Sequence, residues 1–242
     1  MNLPHSKRNF GLDFIRALAI SLVVISHTSL LIFPKSNHII LTFIKTLGAI
    51  GVDLFFVLSG FLIGGIILKL INKNKFNSGD LINFWIRRLF RTLPNYYLIL
   101  IINIGIFLCL KESLPQNIDS YFLFLQNFSN PHPNFFTEAW SLSVEEYAYL
   151  LVPLTLYFCL SFFKNTDRNK LFLYVTVILI LVFLGIKINY FYTAHINTYT
   201  EWSASFRKVV VYRMDAIYVG FLVIYFIKKN INFFEKFKIY NW

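Results

Sequence analysis

In the stretch GVDLFFVLSGFLIGGIIL, residues 51–68, Asp53 is the only charged side chain and Ser59 the only other polar one. A helix needs about 20 such residues to cross the hydrocarbon of a bilayer, where every backbone polar group must find its partner inside the segment. Runs of the same kind recur on both sides, and six spans are predicted at about 12–33, 47–71, 93–110, 147–163, 171–188 and 211–227. The expected fold is an all-α, polytopic membrane helix bundle.

Composition agrees. Of 242 residues 57% are apolar and only 14% charged, against about a quarter charged in soluble domains. A water-soluble domain and a disordered chain are both excluded. The 23 Lys and Arg against 12 Asp and Glu do not imply a nucleic-acid partner, because in a membrane protein such an excess is first a topology signal. With a cytoplasmic N-terminus, fifteen of the 23 cations fall on inner segments, including Lys7, Arg8, Lys75, Arg87, Arg88, Arg91, Lys164, Lys236 and Lys238. Seven, Lys35 among them, fall outside, so both termini are expected on the cytoplasmic side. The first run follows Lys7 and Arg8 as a signal peptide would, but it contains Arg16 and His27 without a small-residue cleavage site and reads as a retained anchor.

Polar groups within the spans carry the chemistry. In LDFIRALAISLVVISHTSLLIF, residues 12–33, Arg16 and His27 are eleven positions apart and share a helix face, with Asp13 nearby. Charges in hydrocarbon cost about 2.5–3.5 kcal/mol or more each, so this face is expected to turn toward the protein interior or a wet cavity. Arg16 could instead be a snorkelling cation paired with Asp13. The imidazole of His27 suits proton transfer or nucleophilic attack, although an interhelical histidine would look the same. Gly60 and Gly64, one turn apart, predict close helix packing. Asp53 sits near the outer start of its span.

Arg87, Arg88 and Arg91 in FWIRRLFRTLPNYY, residues 84–97, lie just before a span expected to begin near Pro94. They read either as a positive-inside anchor or as a site for phosphates, whose oxygens match the guanidinium fork. Residues 111–146 form a long outer loop, a length often tied to function, and its sequon at Asn127 is discounted. In EAWSLSVEEYAYLLVP, residues 138–153, Ser143 and Glu146 have capping-box spacing. Glu145 has no such explanation, and the predicted topology puts it on the side of His27, where a carboxylate would orient the imidazole. Arg213 and Asp215 form an interfacial pair or complete a polar site with Asp53. Cys109 and Cys159 are expected as buried helix residues, and no His/Cys spacing suggests a metal.

Taken together, these residues resemble the membrane-bound acyltransferase family 3, which includes bacterial O-acetyltransferases of surface polysaccharides. The matching pieces are Arg16 and His27, GVDLFFVLSGFLI from Gly51, RRLFR from Arg87, WSLSVEEYAYLL from Trp140 and YRMDAIYVG from Tyr212, in family order. The resemblance implies a multi-pass enzyme of the bacterial inner membrane. It would form one transmembrane acyltransferase domain over residues 1–242, with acyl-CoA, usually acetyl-CoA, as co-substrate and no bound cofactor. It implies His27 and Glu145 as catalytic residues and Arg16, Arg88 and Arg91 as donor-binding ones. Asp13, Asp53, Trp140, Ser141, Arg213 and Asp215 would be supporting polar groups. Family members usually continue through about ten spans, so the chain looks truncated at its C-terminus.

The expected function is O-acyl transfer to a hydroxyl of a cell-surface polysaccharide or other envelope acceptor. In this scheme His27, oriented by Glu145, deprotonates the acceptor or carries the acyl group while the arginines hold the donor. The rival readings are a transporter with Arg16, His27, Asp53 and Asp215 along its path, and an inactive fragment of the acyltransferase.

Overall fold

The protein is seen here as a computed structural model that describes residues 10–33, 38–73, 76–163 and 165–230. His5, Lys7, Arg8, Lys35, Lys75, Lys164, Lys236 and Lys238 lie outside the described residues. The regular elements are all helical: α1 (Phe10–Ile32), α2 (Ile39–Ile71), α3 (Ser78–Cys109), α4 (Trp140–Phe162), α5 (Arg168–Thr193), the single turn α6 (Tyr199–Trp202) and α7 (Met214–Lys229). Helices α1, α2, α3 and α5 are long and apolar enough to cross a membrane. The other two predicted spans fall on α4 and on α7, whose 16 residues rise about 24 Å.

Two helix starts differ from the sequence expectation. Helix α3 begins at Ser78 and runs through Pro94, because Asn77 and Asp80 close a capping box: Asn77 Oδ1 accepts from Asp80 N at 3.0 Å and Asp80 Oδ2 from Asn77 N at 3.3 Å. Arg87, Arg88 and Arg91 therefore lie two to four turns inside a helix and not on a cytoplasmic connector. Helix α4 begins at Trp140, fed directly by a 3₁₀ turn over Thr137–Ala139. Ser143 and Glu146 are consequently interior and form no capping box. Ser143 Oγ donates to Ala139 O and accepts from Gln126 Nε2, while Glu146 Oε1 accepts from Thr92 Oγ1 at 2.9 Å.

Small residues set the packing. Helix α1 buries only Ala19, Ser26 and Ser29, and it approaches α2 where Gly48 meets Ser26 and Gly51 meets Ala19 O. Ser26 Oγ donates to Lys45 O at 2.7 Å. These contacts run antiparallel. On α2, Gly60 lies on Ile217 O and Gly64 on Phe221, while Gly220 of α7 lies on Val57 O, so α2 and α7 run parallel in close backbone contact. The expected close packing at Gly60 and Gly64 is thus present. Positions 45, 48 and 51 of α2 share a face with 63, 66 and 70, whereas Gly60 and Gly64 point about 120–160° away from Gly48.

The main core joins α2, α4, α5 and α7 around Phe56, Ile67, Tyr149, Phe172, Ile217 and Phe221. A second core holds the long loop against the C-terminal half of α3. Tyr96 Oη donates to Tyr121 O, Tyr97 Oη to Phe122 O and Tyr121 Oη to Phe135 O, so tyrosine hydroxyls satisfy loop carbonyls that no helix serves. The loop is also tied to the start of α7, where Val210 N donates to Asn127 O and Val211 N to Phe128 O. Asn127 is fully buried with its amide donating to Trp140 O and Lys208 O, which keeps the sequon out of reach. Cys159 is half-buried, but Cys109, in the last turn of α3, is exposed, contrary to expectation.

Candidate active site

Three polar groupings emerge from this scaffold. The innermost joins three helices: Arg88 of α3 donates to Glu145 Oε2 of α4 at 2.9 Å, and Tyr149 Oη, one turn on, donates to the same oxygen at 3.2 Å. Tyr149 Oη also hydrogen-bonds Ser59 Oγ of α2. The Arg88 guanidinium lies 4.3 Å from the centre of the Tyr149 ring, a cation–π arrangement. Trp85 Nε1 donates to Tyr149 O at 3.2 Å. Tyr149, Ser59 and Trp85 were not singled out in the sequence, although Tyr149 stands four residues after Glu145, the spacing that shares a helix face.

Arg88 also lines a cavity of ≈ 390 Å³ between α2 and α3, together with Arg87, Arg91, Lys73, Asn83 and Ile63. Lys73 is paired with Asp80 at 2.8 Å. Among the described residues Arg87 and Arg91 have no carboxylate partner, so this wall presents uncompensated positive charge. Guanidinium groups of this kind suit phosphate oxygens.

The second grouping joins α2, α5 and the start of α7. Arg213 pairs with Asp53 of α2, and Lys187 of α5 donates to Asp215 of α7 at 2.6 Å. Arg213 and Asp215 thus each take a different partner and not one another, and the structure adds Lys187. Trp140 packs edge-on to Phe56 with ring centres 5.8 Å apart, and Arg207 lies over the Trp140 ring. Among the described residues the Ser141 side chain makes no hydrogen bond, and it sits half-buried in the first turn of α4.

The third is the stripe on α1. Arg16 is bonded to Asp13 at 2.7 Å with both side chains nearly half exposed, and His27 is exposed. The expectation that this face turns inward is not met among the described residues, because the smallest residues of α1 make the contact with α2. Nor does Glu145 orient His27. The ring instead bonds Val23 O of its own helix through Nδ1 at 2.9 Å, and a carbonyl can only accept, so the neutral ring carries its proton on Nδ1 and offers the Nε2 lone pair. From Lys45, which accepts from Ser26 next to His27 in the chain, to Ser59, linked through Tyr149 to Glu145, α2 rises about 21 Å. The two catalytic candidates are therefore well apart.

A family model described as an acyltransferase domain matches residues 9–240, nearly the whole chain. The chain belongs to the membrane-bound acyltransferase family 3. Within the family, it is 32% identical over 184 residues to the peptidoglycan O-acetyltransferase OatA of Listeria monocytogenes, covering 69% of this chain and 26% of that protein. It is 28% identical over 182 residues to the O-acetyltransferase OatA of Staphylococcus aureus, covering 69% of this chain and 28% of that one. The aligned region is thus about a quarter of these relatives' length. No solved structure matches the chain. Family membership and the four long apolar helices together make it an integral membrane protein.

Proposed function

We propose that the chain, as a single transmembrane domain, transfers an acyl group, acetyl by family analogy, from acyl-CoA to a hydroxyl of a cell-envelope polysaccharide. The observation that carries this reading is the cationic cavity beside α3, where Arg87 and Arg91 have no carboxylate partner among the described residues. Phosphates of a nucleotide-bearing thioester fit that chemistry. Arg88, held by Glu145, forms the wall behind them, and Arg16 lies eleven residues before His27, about 16 Å along α1. The acceptor class follows the Listeria relative, whose name specifies peptidoglycan O-acetylation.

In the proposed step the acceptor O–H gives its proton to His27 Nε2, and the oxygen attacks the thioester carbonyl carbon. As the C–S bond breaks, the thiolate takes the proton back from the imidazolium, and ester and free thiol leave. His27 attacking first and passing on the acyl group gives the same balance. The basic cavity and the α1 contacts occupy one face of α2, which supports a donor arm reaching from Arg91 toward His27. Six crossings with both ends cytoplasmic fit the parallel course of α2 and α7.

The deciding experiment supplies labelled acetyl-CoA to membranes from cells lacking the gene and complemented with the chain, then counts label in envelope polysaccharide. Label above the uncomplemented level is expected, and its absence overturns the reading. Full transfer with His27→Ala overturns the catalytic assignment alone.

A further inference from the structure

Among the described residues, Arg88 is the only arginine lining the basic cavity that has a carboxylate partner. Its Nη2 donates to Glu145 Oε2 at 2.9 Å, and the guanidinium plane lies 4.3 Å from the centre of the Tyr149 ring. A planar fork pinned along one edge and over one face has little freedom to turn. What it presents to the cavity is therefore decided by whatever fixes Glu145 and Tyr149.

Glu145 does not fix itself, because its flexible side chain meets Arg88 through one oxygen and loses rotamer freedom only where a further group holds it. Tyr149 is that group. Standing one turn along α4, it directs its Oη to the same Oε2 at 3.2 Å. With the phenol proton on the carboxylate, the hydrogen bond between Tyr149 Oη and Ser59 Oγ is donated by the serine. Ser59 belongs to α2 and has no play of its own, since the next residue, Gly60, lies on Ile217 O of α7.

The backbone of Tyr149 is held as well. Four residues on stands Pro153, inside α4, which has no N–H to give the Tyr149 carbonyl. Trp85 Nε1 of α3 takes that place, donating to Tyr149 O at 3.2 Å. Trp85 precedes Arg88 by three residues, so the offset between α3 and α4 is set where the guanidinium meets the ring. Tyr149 is 1% exposed, and out of water such hydrogen bonds hold their geometry firmly. Binding groups locked from behind in this way are how a site keeps its shape.

We infer that Tyr149 and Ser59 are positioning residues of the donor site, holding Glu145 and through it the Arg88 guanidinium toward the basic cavity. The role in donor binding rests on the function proposed above, whereas the hold on Arg88 is measured with no donor present. The probe is phenylglyoxal, which consumes free guanidinium groups, applied to the full chain in nanodiscs and read peptide by peptide by mass spectrometry with Arg87 as reference. Tyr149→Phe, which keeps the ring and loses only Oη, and Ser59→Ala each raise labelling of Arg88 relative to Arg87 about three- to tenfold, the factor that one hydrogen bond supplies. With labelled acetyl-CoA the same variants raise the donor KM by about that factor and leave kcat within about twofold. In an Arg88→Lys background Tyr149→Phe adds nothing further, because it acts through the guanidinium. Tyr121→Phe is the control for lost stability. It removes another buried tyrosine hydroxyl bond, to Phe135 O, away from the cavity, and changes neither reading.

Arg88 labelling unmoved by both variants overturns the positioning role, as does a Tyr121→Phe chain that behaves like Tyr149→Phe or a full additional effect in the Arg88→Lys background. Raised labelling of Arg88 in a chain whose wild type makes no use of acetyl-CoA sustains the hold on Arg88 and overturns the donor reading instead.

Discussion

Arg88 and Glu145, 57 positions apart in the chain, meet at 2.9 Å between α3 and α4, and Tyr149 and Ser59 extend the contact to α2. The pair stands between the basic cavity on one side of α3 and an apolar groove on the other, lined by Trp85, Leu89 and Leu150. Removing one partner of a buried pair leaves the other uncompensated, at about 3–5 kcal/mol. With side-chain exposures of 15% and 21%, Arg88→Met is expected near the lower end of that range. Thermal unfolding in detergent should show Arg88→Met less stable than the double variant with Glu145→Met. Equal stability of the single and double variants would mean that no coupling exists.

The apolar runs made the fold class and the approximate place of every long helix legible, because hydrocarbon leaves the backbone few alternatives. Helix starts were less legible where a helix begins with charge. Arg87, Arg88 and Arg91 looked like a loop to a hydropathy reading, yet they project from a helix toward a cavity, and the Asn77–Asp80 capping box was the available signal. The individual groups of the polar site were visible as costly residues in spans, but their pairing was not. Whether Glu145 meets His27 or Arg88 depends on the axial offset between helices, which follows from where Gly48, Gly51 and Gly60 let backbones approach. No local pattern encodes that offset.

His27 offers a separation of activity from folding. The ring is exposed and bonds only a carbonyl of its own helix, so His27→Ala removes no contact between helices. Acyl transfer should fall about 10²–10⁴-fold, the usual contribution of a general base, while the unfolding temperature stays within a degree or two of wild type. A comparable loss of stability would reassign His27 to packing.

The α2–α7 contact makes the opposite prediction. A Cβ at Gly60 would overlap Ile217 O and one at Gly220 would overlap Val57 O, both backbone atoms that cannot rotate away. Gly60→Ala and Gly220→Ala should each cost about 3 kcal/mol or more, above the common range for overpacking by a side chain alone. Gly105 and Gly185 have nothing within 4 Å of an added Cβ, so alanine there is expected to be neutral or to gain about 0.5–1 kcal/mol from helix propensity. Folded yield after detergent extraction would rank the four variants. Tolerance of alanine at Gly60 would mean the helices can separate.

The long loop between α3 and α4 carries a pH-dependent attachment centred on His132. Its side chain is buried, its backbone N donates to Ala204 O at 3.2 Å, and its Nδ1 donates to Pro133 O at 2.6 Å. Nε2 has no partner among the described residues. Burial pushes the imidazole down from 6.5 to about 4, and the nearby Lys208 charge adds to the effect against the opposing pull of Pro133 O and Glu138. Between those two pH values the unfolded loop binds a proton that the folded loop refuses, so docking is strongest above pH 6.5 and weakens as pH falls toward 4. Amide exchange at Val210 and Val211, whose N–H groups hold Asn127 O and Phe128 O, reads that docking locally. After correction for intrinsic exchange, protection should decline from pH 7 to pH 4.5 in wild type and hold level in His132→Gln. An unchanged slope in the variant would place the titration elsewhere.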